Sequence, residues 1–98
     1  MPPDTATIRS RLAALLPDLR ERYAVRALFL FGSFARGEQT PDSDLDLLVE
    51  FDRTPGLLTF AALTRLLEDR LGVPVDLATR PMIGPRLSAG VEADLVEV

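Results

Sequence analysis

The chain contains no cysteine and no histidine. The first absence excludes a disulfide framework, a thiol nucleophile and any cysteine-built metal centre. The second removes the usual imidazole base and every histidine-rich zinc site. Long apolar runs are missing too: none approaches the roughly 20 residues that a membrane-spanning helix needs. The start, MPPDTATIRS, lacks the basic-then-apolar shape of a signal peptide, so the expected location is the cytoplasm. Excess positive charge is also absent. Eleven Lys and Arg stand against fifteen Asp and Glu, for a formal net charge of −4. A free-standing duplex DNA binder would carry a basic face, so no direct nucleic-acid contact is expected. Nucleotides remain admissible, because metal ions bridge carboxylates to phosphates.

What is present suits one small domain spanning residues 1–98. At 98 residues and 47% hydrophobic composition, the chain can build one modest core, and a chain of this size leans readily on a partner. Asp4 or Thr5 can cap a helix, and Ile8, Leu12, Leu15, Leu16 and Leu19 recur at helical spacing. Pro17 predicts a break, with a second short helical turn running to about Tyr23. VRALFLF, from Val25 to Phe31, reads as a buried strand that Gly32 ends. After the turn residues of EQTPDS, DLDLLVEF reads as a second strand. Thr59 to Leu71 carries the stripe Phe60, Leu63, Leu66, Leu67 and Leu71, with Gly72 as its stop. VPVDLAT is a third strand with Pro74 at its start or on an edge, and RPMIGP reads as a loop. From Pro85 onward, Leu87, Val91 and Leu95 give a weak helical period, while the final LVEV could also be extended. The order of helices and strands predicts an α/β domain, a small sheet flanked by helices.

The chemistry concentrates between the first two strands. Residues i and i+2 of a strand share a face, so Asp44 and Asp46 are expected side by side, with Leu45 turned into the core. Two such carboxylates repel unless a proton or a hard cation intervenes, and an oxygen-only donor set suits Mg²⁺ or Mn²⁺. Asp76 in the third strand completes a three-carboxylate cluster if the strands are neighbours, the arrangement that serves a two-metal displacement at phosphorus. Gly32 allows the backbone to approach a ligand, Ser33 adds a hydroxyl, and a short helix starting at SFAR would turn backbone N–H groups towards an anion. Arg36 adds a cation with bidentate reach. Singly, each feature has a plainer reading: a Gly-Ser turn, an aspartate closing a loop, a solvent-facing strand aspartate, a surface arginine. Folding alone does not require them at this joint spacing.

With these residues in place, the sequence resembles the minimal nucleotidyltransferases of the DNA polymerase beta-like superfamily. Their signature is Gly-Ser, ten residues, then Asp-x-Asp, and here Gly32-Ser33 is followed by ten residues and Asp44-Leu45-Asp46. GSFARGE, Ser43 before the first aspartate, VDL around Asp76 and the approach LRERYAVRALFLFGS match as well. The resemblance runs from about Leu12 to the C-terminus and is strongest to the antitoxin-type members that pair with HEPN-domain toxins. It implies a mixed sheet flanked by helices in the polymerase beta-like palm fold, ATP as substrate with Mg²⁺, and AMP transfer to a protein hydroxyl, in several cases a tyrosine of the toxin. It further implies a hetero-oligomer with that toxin. By resemblance Asp44 and Asp46 are metal ligands, Asp76 serves the metal that activates the acceptor hydroxyl, as ligand or base, and Gly32 and Ser33 bind the nucleotide phosphates. Arg36 is a frequent companion in that loop.

Little chain remains for a separate acceptor-binding domain, which points to an acceptor on another polypeptide. The competing reading is a binding module that neutralises its partner by covering it, for which PGLLTF and RPMIGPRL offer apolar contacts.

Overall fold

The first helix, α1, runs unbroken from Thr5 to Tyr23. The computed structural model describes residues 3–84 and 89–98. Asp4 caps α1 by accepting from the Thr7 N–H at 2.7 Å, and Ala24 ends it in a left-handed conformation. The expected break at Pro17 does not occur. Ile8, Leu12, Leu16 and Leu19 are all buried in the core on both sides of the proline, while Pro17 and Ala13 are exposed. The carbonyl that loses its partner can therefore face water, and the packed stripe holds the helix together across the gap. The hydrogen bond from Thr7 holds the Asp4 carboxyl below its ordinary value of 3.8. The cap thus contributes stability above that value and loses it as the pH falls through the lowered one. Asp4→Ala is expected to lower the melting temperature at pH 7 by about 2–5 °C. In melts followed by circular dichroism, the gap from wild type should close in acid.

Strand β1 spans Val25–Phe31, the short helix α2 spans Gly32–Arg36 and strand β2 spans Leu45–Phe51. Helix α3 covers Leu57–Leu71, two residues earlier than its apolar stripe suggests, and strand β3 covers Val75–Ala78. RPMIGP is not a plain loop: Arg80–Ile83 form a helical turn, α4, with Pro81 in its first turn, where the missing N–H costs nothing. Helix α5 at Ala89–Asp94 and the two-residue strand β4 at Val96–Glu97 divide the C-terminal segment between helix and extended chain. Pro85 and Leu87 of the weak helical period lie outside the described residues.

Among the described residues the strands form a sheet of order β3-β2-β1-β4. β1 runs antiparallel to β2 and β4, and β2 runs parallel to β3. This is the mixed sheet flanked by helices that the family pattern implies. One face carries Leu28, Leu30, Leu45, Leu47, Val49 and Leu77 against the apolar stripes of α1 and α3, in one buried cluster. The opposite face has a much smaller apolar centre, built from Leu48, Ala78 and Ile83 with Phe29, Phe31 and Leu95 packed beside them. That second face is where the side chains of chemical interest emerge.

Candidate active site

The alternation of β2 decides what the second face displays. Leu45, Leu47 and Val49 turn into the main core, so Asp46, Leu48 and Glu50 turn the other way. The register then places Asp46 directly opposite Phe31 of β1 on one side and Asp76 of β3 on the other. Two carboxylates thus sit on one face of adjacent parallel strands, about 4.8 Å apart at the backbone. Asp46 is half-buried and Asp76 exposed. Asp44 stands one residue ahead of β2, also exposed, just before the point where the Leu45 N–H bonds to the Pro74 carbonyl at 2.8 Å. The predicted i, i+2 pair is therefore half strand and half loop. Among the described residues no three acidic side chains are drawn together into a set that could hold a metal ion.

The turn beside Asp46 is built to approach it. Phe31 is extended, and Gly32 then takes φ +70° as the first residue of α2. A Cβ on Gly32 would overlap Oδ2 of Asp46 and crowd its Cγ. Any other residue would thus meet both an unfavourable backbone angle and an occupied space. Three contacts fix the turn. Phe34 is fully buried, its carbonyl accepts from Thr5 Oγ1 at 2.5 Å, and the Glu38 N–H returns to the Ser33 carbonyl at 2.9 Å. Ser33 is half-buried in the first turn of α2, where backbone N–H groups have no helical acceptor of their own. Further along, Ser43 Oγ accepts from the Thr40 N–H at 2.8 Å, which orders the loop that delivers Asp44.

Arg36 is placed differently from the expectation of a phosphate-facing cation. Its guanidinium pairs with Glu38 at 3.2 Å and with Asp94 of α5 at 3.1 Å. The structure therefore brings together Gly32, Ser33, Asp46 and Asp76, sets Asp44 at their margin, and ties Arg36 to α5.

At the far end of the same face lies a charged network that sequence reasoning missed. Arg80 donates to Glu50 at 3.0 Å and to Glu92 at 2.8 Å, and Glu50 also faces Arg26 at 3.9 Å. The hydrogen bond that Arg80 donates to Glu50 is the main reason its guanidinium is held above its ordinary value. Glu50 could have been suspected, because it follows Asp46 by four residues in an alternating strand. Nothing local marks Glu92 or Asp94.

Strand carboxylates beside a glycine-serine turn, on the open face of a mixed sheet, define a nucleotidyltransferase fold. The comparisons agree. Residues 12–97 match the family model for the nucleotidyltransferase domain. Protein adenylyltransferase MntA of Thermococcus cleftensis is 42% identical over 91 residues, covering 93% of this chain and 92% of that protein. A solved structure named a minimal nucleotidyltransferase superposes with a TM-score of 0.81 at 41% identity, over 98% of this chain and 97% of that one. A toxin–antitoxin crystal structure with AMP-PNP superposes at 0.72 with 25% identity, over 90% of this chain and 69% of its counterpart. The chain belongs to the nucleotidyltransferase-domain family, and it is an enzyme of the minimal kind whose relatives are named protein adenylyltransferases. No helix among the described residues is long and apolar enough to cross a membrane.

Proposed function

We propose that the chain transfers AMP from ATP to a hydroxyl of a partner protein, a tyrosine of a HEPN-type toxin, and so acts as its antitoxin within a hetero-oligomer in the cytoplasm. The observation that carries this reading is the register Phe31–Asp46–Asp76 with Gly32 packed on the Asp46 carboxylate. It sets two carboxylates of adjacent strands beside a glycine-serine turn on one face of the sheet. The relative crystallised as a toxin–antitoxin with AMP-PNP supports both the nucleotide and the class of partner.

In the reaction, the acceptor oxygen forms a bond to the α-phosphorus of ATP. The bond from that phosphorus to the bridging oxygen breaks, pyrophosphate leaves and the hydroxyl proton is released. Gly32 and Ser33 bind and orient the phosphates. Asp76, on the side of the sheet away from the glycine-serine turn, takes the acceptor side, where with no histidine in the chain a carboxylate is the available proton acceptor. The donor chemistry fits Mg²⁺ or Mn²⁺, since every candidate ligand is a carboxylate oxygen. Asp46 and Asp76, with Asp44 at their margin, would hold the ion together with oxygens of the nucleotide rather than as a closed protein set, and it would supply charge neutralisation at the phosphates and a lower proton affinity at the hydroxyl.

A second reading, neutralisation by covering alone, draws on Leu57 and Leu58, which are 83% and 88% exposed at the start of α3. The mass of the co-expressed neighbouring-gene product after incubation with Mg-ATP separates the two. Stepwise gains of one AMP are expected. A stable complex whose partner keeps its mass would reject the catalytic reading in favour of the covering one.

A further inference from the structure

Arg36 ends α2, three residues after Ser33, so the two share one side of the helix with their Cβ atoms about 5–6 Å apart. Its guanidinium is gripped at two different points. Nε donates to Glu38 Oε1 at 3.2 Å, and Nη1 donates to Asp94 Oδ2 at 3.1 Å. A guanidinium offers an anion two bidentate edges, Nε with Nη2 and Nη1 with Nη2. Each edge of Arg36 thus already carries one carboxylate. Neither edge can close on a phosphate until one of the two gives way.

The two carboxylates are not equally able to give way. The Glu38 side chain is 65% exposed and lies just past the end of the helix, so water can take over its oxygens at little cost. The Asp94 side chain is only 35% exposed, and its backbone is held from both directions. The next residue, Leu95, packs beside Leu48, Ala78 and Ile83 in the smaller apolar centre, and Val96 then pairs with Leu30 of β1. Two residues earlier, Glu92 accepts from Arg80 at 2.8 Å. Asp94 is therefore a fixed post and Glu38 a movable one. The Nη1 end of Arg36 stays where α5 puts it, and the Nε–Nη2 edge is the one that opens.

We infer that Asp94 is a positioning residue for the nucleotide's triphosphate: it holds Arg36 on the Ser33 side of α2, and Glu38 occupies the edge that a pair of phosphate oxygens takes over. The assignment rests on the adenylylation reading and gives α5 a part in it that the glycine-serine signature does not contain. Asp94 touches neither nucleotide nor acceptor and acts through Arg36. Two substitutions that each remove one negative charge near a triphosphate then have effects of opposite sign. General repulsion would make both variants bind ATP more tightly. With Asp94 as the post, Glu38→Gln frees an edge and tightens binding, whereas Asp94→Asn lets Arg36 swing and weakens it.

The test titrates the full chain with a fluorescent non-hydrolysable ATP analogue and Mg²⁺. The proteins are wild type, Glu38→Gln, Asp94→Asn, Asp94→Glu, Arg36→Ala, and Glu38→Gln and Asp94→Asn each combined with Arg36→Ala. Asp94→Asn is expected to lose about three- to fivefold in affinity and Glu38→Gln to gain about threefold. Asp94→Glu keeps the charge and should retain most of the affinity, which keeps the test decisive if the neutral variant disturbs α5. Both effects should vanish in the Arg36→Ala background, where a loss that came only from the packing of α5 would persist. Tighter binding by Asp94→Asn, a loss in Asp94→Glu as large as in Asp94→Asn, either effect surviving without Arg36, or no measurable binding by wild type would overturn the assignment. AMP transfer to the partner, read by mass on the same proteins, reports separately. The expected pattern of affinities without transfer by wild type would leave the role of Asp94 standing and reject adenylylation. Transfer by wild type with equal affinities in all variants would do the reverse.

Discussion

Asp76→Ala is expected to bind ATP within about threefold of wild type and to transfer AMP at least about 10²-fold more slowly. The asymmetry follows from position. Asp46 is flanked by Phe31 and the glycine-serine turn on one side and by Asp76 on the other. Asp76 belongs to β3, one of the two edge strands of the sheet, and is exposed. Removing it should thus leave Gly32, Ser33 and Asp46, the proposed phosphate side, as they were. What is lost is the carboxylate facing an incoming hydroxyl, which is a weak nucleophile until its proton affinity is lowered. Stability should hardly change, because no core contact is removed and one like-charge neighbour of Asp46 disappears. A binding titration with a non-hydrolysable ATP analogue and a mass spectrum of the partner, taken on one Asp76→Ala sample, measure both halves. Full transfer by this variant would take Asp76 out of the mechanism. Loss of ATP affinity in step with transfer would move it to the phosphate side. The complex with the partner should form as in wild type, since the substitution removes one exposed carboxylate and no apolar surface.

How far the sequence could be read depended on the range of the interactions. The Ile8, Leu12, Leu16, Leu19 stripe and the alternation in β2 are local periodicities, and both appear in the structure where they were expected. The fate of Pro17 was not local. A proline in a helix is tolerated when buried residues on either side hold the helix down, and their burial comes from β1, β2 and α3 packed against them. The turn at Arg80–Ile83 and the split of the C-terminal segment into α5 and β4 rest on too few residues to show a period. The spacing of Gly32, Ser33 and Asp46 pointed to the site, but the contact between Gly32 and the Asp46 carboxylate exists only because β1 and β2 pair in this register. Asp44 fell short of the strand by one residue, because the loop closed by the Thr40 N–H on Ser43 Oγ runs up to it and pairing begins at Leu45. Arg36 shows the limit most clearly. Its neighbours in sequence suggest an anion-binding arginine, whereas Asp94, which pairs with it from 58 positions away, leaves no trace in local pattern.

Gly32→Ala is expected to reduce AMP transfer by about 10²-fold or more and to destabilise the chain, and the two effects share a cause. An alanine at φ +70° costs about 1–2 kcal/mol from backbone conformation alone. The new methyl must also displace the Asp46 carboxylate, whose Oδ2 lies within clashing distance of the position a Cβ would take. Moving that side chain takes a candidate metal ligand off its place beside Asp76 and pushes bulk into the path of the phosphates, so chemistry should fail even where folding survives. A double-mutant cycle isolates the contact. In wild type Gly32→Ala should cost the conformational term plus the collision, about 2–4 kcal/mol in total. In an Asp46→Ala background the carboxylate is gone, and only the conformational 1–2 kcal/mol should remain. Urea melts of the four proteins give the coupling directly, and it includes whatever Asp46 loses when the methyl displaces its carboxylate. An equal cost in the two backgrounds would mean that Gly32 serves the turn through its backbone angle alone. A smaller cost next to alanine than next to aspartate would show the glycine kept for the carboxylate it faces, with the phosphate turn and the acidic strand working as one unit.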